Sequence, residues 1–391
     1  MTCREASIDL PTAIPEELVA DVNDKLAYAN RHLERWEIAA DRTRVSILVD
    51  DPAQLADAAL CVRNTVDALL HGYREVEKDV MWRRPGHARA PATPIWDQLV
   101  ESGLVHREAP GCVSLLGDAC RVALALDRRF EGIAKRFEAV PHQYPTLLPI
   151  ATLERCDYFS SFPHHVTFAP HLVEDVDRIR RVGSVDAARR DGAIAAELAP
   201  LTHLMSPSVC FHTYAALADS RVPVNRTFTA VNRCYRWESV HFATLERLWD
   251  FTMREIVFVG APAWIEVQRQ HAIVETTRLV EELDLEAWIE TANDPFFVGN
   301  FAAKRYFQLL RRAKFELRLG LPYAGSSLAA ASFNVHEDFF GRSFGIRADE
   351  DGFVSTGCVG FGVERWVWAL FAQHGTRVDE WPTAVRNGLG L

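Results

Sequence analysis

Two stretches constrain the fold more than any other part of the chain: Cys234-Tyr-Arg-Trp-Glu238, and Trp249-Asp-Phe-Thr-Met-Arg-Glu-Ile-Val-Phe-Val-Gly260. β-Branched and aromatic residues crowd the second, and Gly260 stops it, so it reads as a strand. The first reads as the end of a preceding strand, with a loop between the two. An Arg and a Glu two apart on a strand share a face. Arg236 is then placed to grip a phosphate or carboxylate through two parallel hydrogen bonds, with Glu238 beside it as an acceptor. Phe251 offers a flat apolar face nearby. The bland alternative is a solvated hairpin with its charges in water, and Arg-x-Glu alone does not exclude it.

The 391 residues are 48% hydrophobic, ample for a large core and suggestive of two domains or one large α/β domain. A net charge of −10 argues against a broad nucleic-acid or membrane surface. Residues 1–20 carry early acids and lack the apolar core of a signal peptide, and no run approaches the roughly 20 apolar residues of a membrane span. Eight scattered cysteines point to reduced thiols and a cytoplasmic location, with some available to a metal.

Along the chain, Leu18, Val22, Leu26, Ala29, Leu33 and Trp36 predict a helix over 15–40. A strand, Val45–Val49, and a helix to about Val80 follow. Residues 1–83 therefore read as a small helix–strand–helix module of unassigned role. Residues 1–90 carry a net charge of −4, unlike an RNA-binding arm. The Pro/Gly/Ala-rich segment 84–94 reads as a linker and 95–391 as the main domain. Within it, Tyr144-Pro-Thr-Leu-Leu-Pro149 predicts a strand ending on proline after a long helix, consistent with a dimer-forming edge. His164 and His165 are adjacent, a pattern commoner in loops than among metal ligands. The segment 174–197 is charged and reads as a surface excursion. A helix is expected over 262–290 and another over 302–312, then a strand at Phe315–Leu319. Thr356–Arg365 predicts a glycine-rich strand entering an apolar helix, Trp366–Ala372.

Three of these segments, in this order, resemble the class II aminoacyl-tRNA synthetase core. Tyr144–Pro149 looks like motif 1, Tyr235-Arg-Trp-Glu238 like motif 2, and Gly360-Phe-Gly-Val-Glu-Arg365 like motif 3. The resemblance implies an α+β fold: an antiparallel sheet flanked by helices, usually dimeric, here with the small N-terminal α/β module added. Ser332-Phe-Asn-Val-His-Glu-Asp-Phe339 resembles the seryl branch. The stretch from Leu245 to Gly260 is more closely similar to the amino acid:[carrier protein] ligases, relatives of the zinc-dependent archaeal-type seryl-tRNA synthetases. The similarity covers roughly residues 93–391.

What the resemblance implies about the site is specific. Cys210, Glu255 and Cys358 would hold Zn²⁺, although two such cysteines are otherwise ordinary core residues. Three protein ligands leave a fourth position open, the mark of a site that binds substrate. Arg236 would hold the α-phosphate of ATP and the attacking carboxylate. Glu238 would read the adenine amino group, Phe251 would stack on the ring, and Arg365 would bind the γ-phosphate. Mg²⁺ would bridge the phosphates. Leu248 lies in the same ATP site. Arg247 and Lys314 are further phosphate candidates, with surface salt bridges as the alternative. A core position is the alternative for Phe251. Glu255, Ala329, Ser332 and Asn334 would border the amino acid. Cys234 shares a face with Arg236 but has no place in the ligand pattern, and Cys3, Cys61, Cys112, Cys120 and Cys156 read as incidental.

The implied activity is ATP-dependent formation of a small aminoacyl adenylate, of glycine or alanine type, and its transfer to the phosphopantetheine thiol of a carrier protein. Ala329–Ala331 stand where seryl enzymes carry polar residues, which weakens a claim for serine. Arg269, Arg305, Arg311, Arg312 and Lys314 are candidates for a local basic patch facing an acidic carrier, with a solvated helix face as the alternative. The rivals are a zinc-dependent seryl-type tRNA ligase, a non-enzymatic relative, and a ligase that acts on a small molecule or peptide. The acidic N-terminal module disfavours tRNA. Arg236 and Arg365, both present, favour an active enzyme.

Overall fold

The computed structural model describes residues 4–71, 73, 78–86, 93–186, 189–223, 225–294, 306, 308–348 and 352–391. Its centre is an eight-stranded sheet. In spatial order the strands are Val80–Arg84, Ala287–Thr291, Lys314–Leu321, Ser326–Glu337, Ser355–Gly362, Asp250–Gly260, Arg226–Tyr235 and Val140–Pro141. All neighbours are antiparallel except the last pair. This is the class II synthetase architecture that motifs 1 to 3 imply.

Strand alternation divides the residues of this sheet between two environments. Ile256, Phe258, Val359, Phe361, Phe315, Leu317, Leu319 and Phe333 point into the main apolar core. There they pack against the helices Gly117–Arg136, Pro262–Glu282 and Val363–His374. Phe130 stacks on Phe361 with ring centroids 4.5 Å apart and meets Trp366 edge-on. The opposite face carries Glu255, Cys358, Gly360, Ser332, Asn334, Lys314 and Glu316, which line a cavity. One sheet thus supplies hydrophobic stability on one side and chemistry on the other. Gly357 lets the layers approach: a Cβ there would lie 2.7 Å from Ile265 Cγ2 and 2.8 Å from the Asn334 carbonyl oxygen.

A second apolar cluster, including Tyr158, Phe211, Tyr214, Phe340 and Phe344, lies beyond the cavity. The N-terminal residues have a third, built on Ile8, Val22, Leu26, Val45, Ile47, Val62 and Val66. Here the strands Glu5–Asp9, Arg44–Val49 and Leu33–Ile38 pair with Arg44–Val49 in the middle. The expected helix over 15–40 is shorter, Val19–Leu26 after a single 3₁₀ turn. Leu33 and Trp36 sit on a strand instead: a register irregularity between Leu33 and Arg35 sets them opposite Val49 and Ile47, so that a helix-like spacing of three is met on one strand face. The strand Val80–Arg84 crosses the expected boundary at 83 and pairs with Ala287–Thr291 in the large sheet.

One further reading needs correction. The helix expected over 262–290 ends at Glu282. Asp284 takes a left-handed φ of 55°, and Ala287–Thr291 turns back as a strand against Lys314–Leu321. The segment 174–197 holds two short helices, Val176–Ser184 and Arg190–Ala196, which lie at the surface. Cys3, Arg305, part of the helix expected over 302–312 and part of the 84–94 linker lie outside the described residues. Among the described residues no helix is long and apolar enough to cross a membrane.

Candidate active site

The cavity on the polar face of the sheet encloses about 660 Å³. Cys210, Glu255 and Cys358 meet in it, with their ligand atoms all within 4.8 Å of one another and all three residues buried. In sequence they are 45 and 103 residues apart. Glu255 and Cys358 come from neighbouring strands. Cys210 comes from the first turn of the helix Cys210–Ala216. The chain entering that helix cradles the carboxylate: Ser208 Oγ donates to Glu255 Oε1 at 2.5 Å, Val209 N at 3.2 Å, and Cys210 N to Oε2 at 2.9 Å. Asn334 Nδ2 donates to Cys358 Sγ at 3.4 Å, and His336 Nε2 lies 3.9 Å from the same sulfur.

The electrostatics of this cluster call for a cation. Burial first, and the neighbouring Cys358 second, push the Glu255 carboxyl up to about 7. The contact between the sulfurs, together with burial, holds the Cys210 thiol above its ordinary value, and the same contact lowers Cys358. Three acidic groups crowded into one buried spot cannot all ionise unless a metal neutralises them. Two soft sulfurs and one carboxylate oxygen fit the donor set of zinc, whose ligands lie about 2.0 to 2.3 Å from the metal in a tetrahedron.

Arg236 and Arg365 line the same cavity. Arg236 Nε donates to the Pro207 carbonyl at 2.9 Å, and its guanidinium lies over the Phe251 ring, 5.5 Å from the centroid. Arg365 donates to the carbonyls of Glu246 at 2.8 Å and Ala329 at 2.9 Å. Burial draws its guanidinium below its ordinary value. Both cations are thus held by neutral carbonyls and keep their charge available to an anion. Glu364, between motif residues Gly362 and Arg365, is buried and braces the strand: both its oxygens accept from Thr252 N, at 3.0 and 2.8 Å, and Arg233 approaches to 3.3 Å.

Of the expected site residues, Glu238, Leu248, Phe251, Ala329, Ser332, Asn334 and Lys314 line the same cavity as the two arginines and the three metal-type ligands. Arg247 stands beside it in a shallower cleft with Asn23, Asp24, Trp36 and His241. Lys314 is no surface residue. Its amine bonds Asp294 at 2.8 Å and Glu316 at 2.9 Å. Burial alone would lower that amine, but the two carboxylates outweigh it and hold it above its ordinary value. Arg269, offered as part of a solvated basic face, is buried, bonded to Glu266 and stacked 4.6 Å from the Phe315 centroid. Arg311 and Arg312 border the cavity, paired with Glu337 and Asp79. His165 lines the cavity wall, and Cys234, on the strand Arg226–Tyr235, is buried against Val209 and Ala230 without joining the metal-type cluster.

Sequence reasoning missed Ser208, His336, Asp294 and Glu316. Ser208 and His336 each lie two residues from an expected ligand or contact, which is the one local signal they carried.

An amino acid–[acyl-carrier-protein] ligase of Bradyrhizobium diazoefficiens, number 2, is 33% identical over 313 residues, covering 77% of this chain and 89% of that protein. The chain belongs to the amino acid–[acyl-carrier-protein] ligases. The ligase also matches the type-2 serine–tRNA ligase of Methanopyrus kandleri at 29% identity over 276 residues, 66% of this chain. It spans about half of that relative's length (52%). A solved M. kandleri SerRS, in complex with A. aeolicus tRNASec, superposes with a TM-score of 0.72 at 21% identity, covering 98% of this chain and 77% of that one. This likeness extends the shared fold to the N-terminal strands of the ligase. No protein-family model matches the chain.

Proposed function

We propose that this ligase activates a small amino acid as its adenylate and passes it to the phosphopantetheine thiol of a carrier protein. What carries the reading is one juxtaposition: a three-ligand metal-type cluster and two carbonyl-held arginines share a single cavity. Zinc on Cys210, Glu255 and Cys358 would leave a fourth position for a neutral α-amino group. The amino acid carboxylate attacks the α-phosphorus of ATP, and pyrophosphate leaves. Arg236 holds that phosphate and the attacking carboxylate, Arg365 the γ-phosphate, Glu238 the adenine amino group, and Phe251 the ring. Mg²⁺ would neutralise charge on the phosphates. The acceptor's thiol then attacks the acyl carbonyl and AMP leaves, so the chain need supply no nucleophile of its own.

Ser332 and Asn334 border the space next to the metal-type cluster, and Ala329 lines the same cavity beside Arg365. Small residues there suit a small side chain, and an apolar pocket rejects one extra methylene by only about 1–3 kcal/mol. We assign residues from about 93 onward to catalysis and the N-terminal residues to a separate unit. A homodimer is the expected state: Val140, on the terminal strand of the sheet, and Leu147 are each 44% exposed.

Two assays test the reading. ATP–pyrophosphate exchange should depend on one or a few small amino acids. Radiolabelled amino acid should pass to a holo carrier protein and not to tRNA; efficient tRNA charging would favour the tRNA ligase instead.

A further inference from the structure

The loop between the two motif 2 strands is held from outside the main core. Tyr28 Oη donates to the Trp237 carbonyl at 2.8 Å, and Ser239 Oγ to the Ala27 carbonyl at 3.5 Å. Trp36 bonds Asn23 at 2.9 Å and presents an edge to His241. The central contact is ionic. Arg247 Nη1 lies 3.0 Å from Glu238 Oε2 and 3.0 Å from Asp24 Oδ1, and Nη2 donates to Asp24 Oδ2 at 3.4 Å. Asp24 lies on the helix Val19–Leu26, 223 residues from Arg247.

This pairing differs from those of the other two arginines. Arg236 and Arg365 hydrogen-bond to backbone carbonyls, and among the described residues Glu238 acts on each only from beyond ion-pair distance. Arg247 meets two carboxylates, which hold its side chain in one place before any nucleotide arrives. It is placed as a strut. An arginine side chain free to sample its rotamers would hold Glu238 poorly, and fixing it at the moment of binding costs entropy. Asp24 fixes it beforehand.

We propose that Asp24 is a positioning residue for nucleotide binding, acting through Arg247 to aim the Glu238 carboxylate at the base. The N-terminal unit then serves the activation step directly, whatever the acceptor. This rests on the assignment of Glu238 to the adenine amino group.

The test uses the full-length protein. Asp24→Asn should raise the KM for ATP in pyrophosphate exchange roughly five- to tenfold, as loss of one charge-assisted contact would. It should leave kcat and the KM for the amino acid within about twofold, and Asp24→Glu should restore ATP affinity. The preference for ATP over the purine riboside triphosphate, which lacks the 6-amino group, should narrow in Asp24→Asn. Tyr28→Phe, which removes the Trp237 contact and no charge, should raise the KM for ATP in the same direction. A KM for ATP equal to wild type in Asp24→Asn, or a fall in kcat alone, overturns the inference. Calorimetric titration with a non-hydrolysable ATP analogue reads the same weakening without turnover. A wild-type protein that binds the analogue but exchanges with no amino acid would sink the proposed reaction, while the affinity difference would still decide the role of Asp24.

Discussion

Asn334 sits directly across the strand pair from Cys358 and donates its side-chain amide to the sulfur at 3.4 Å. A hydrogen bond to a metal-binding thiolate stabilises its charge and fixes its direction. Asn334→Ala should therefore weaken zinc binding about 10- to 100-fold while leaving the three ligands in place. Competition with a chromogenic chelator measures this. An unchanged zinc affinity would reduce Asn334 to a pocket residue.

The cluster itself predicts about one zinc per chain, bound by three protein ligands. Cys358→Ala should lose both the metal and amino acid-dependent exchange. Elemental analysis of the purified protein decides the first part, and a metal-free but fully active protein would overturn the assignment.

Arg365 is the clearest test of the nucleotide end. Among the described residues its hydrogen-bonding partners are two carbonyls, Glu246 and Ala329. Arg365→Ala should lower exchange by about 10²- to 10³-fold, the usual cost of removing one preorganised group that meets developing charge. Exchange that persists unchanged would remove the motif 3 role.

Lys314 separates two readings that the sequence left open. In the structure its amine is buried between Asp294 and Glu316. Lys314→Met would leave Asp294 with only the neutral Gln308 amide and Glu316 with the more distant Arg318, and should destabilise the fold by about 3 kcal/mol, the low end for a broken buried pair. A pure phosphate contact would instead change the KM for ATP and leave the unfolding midpoint alone.

The uneven legibility of the site follows from where each partner lies in the chain. Arg236, Glu238 and Arg365 sit in short strand and strand–helix patterns, and their spacing is readable residue by residue. Cys210 and Cys358 are indistinguishable from core cysteines by local pattern, so only a family resemblance picks them out. Asp294 and Asp24 carried no local signal, because each meets its arginine or lysine only through tertiary folding. The strand Ala287–Thr291 was hidden for another reason. A long apolar helix precedes it, and the left-handed turn at Asp284 that ends the helix uses an aspartate rather than a glycine.

The last prediction concerns pH. In the metal-free protein, burial raises the Glu255 carboxyl from 4.5 to about 7. A folded-state value above the unfolded one means that the folded protein binds this proton more tightly. Its contribution to stability is full below about 4.5 and is lost as pH rises through about 7. The loss should reach at most about 3 kcal/mol, at about 1.4 kcal/mol per unit. Zinc reverses the trend, because it binds the deprotonated ligands of the folded state and so stabilises more as pH rises. Denaturant unfolding of the apo and zinc-loaded proteins at pH 5, 6, 7 and 8 should therefore give curves that diverge with increasing pH. Parallel curves would mean that Glu255 does not titrate in the folded apoprotein and takes no part in binding the metal.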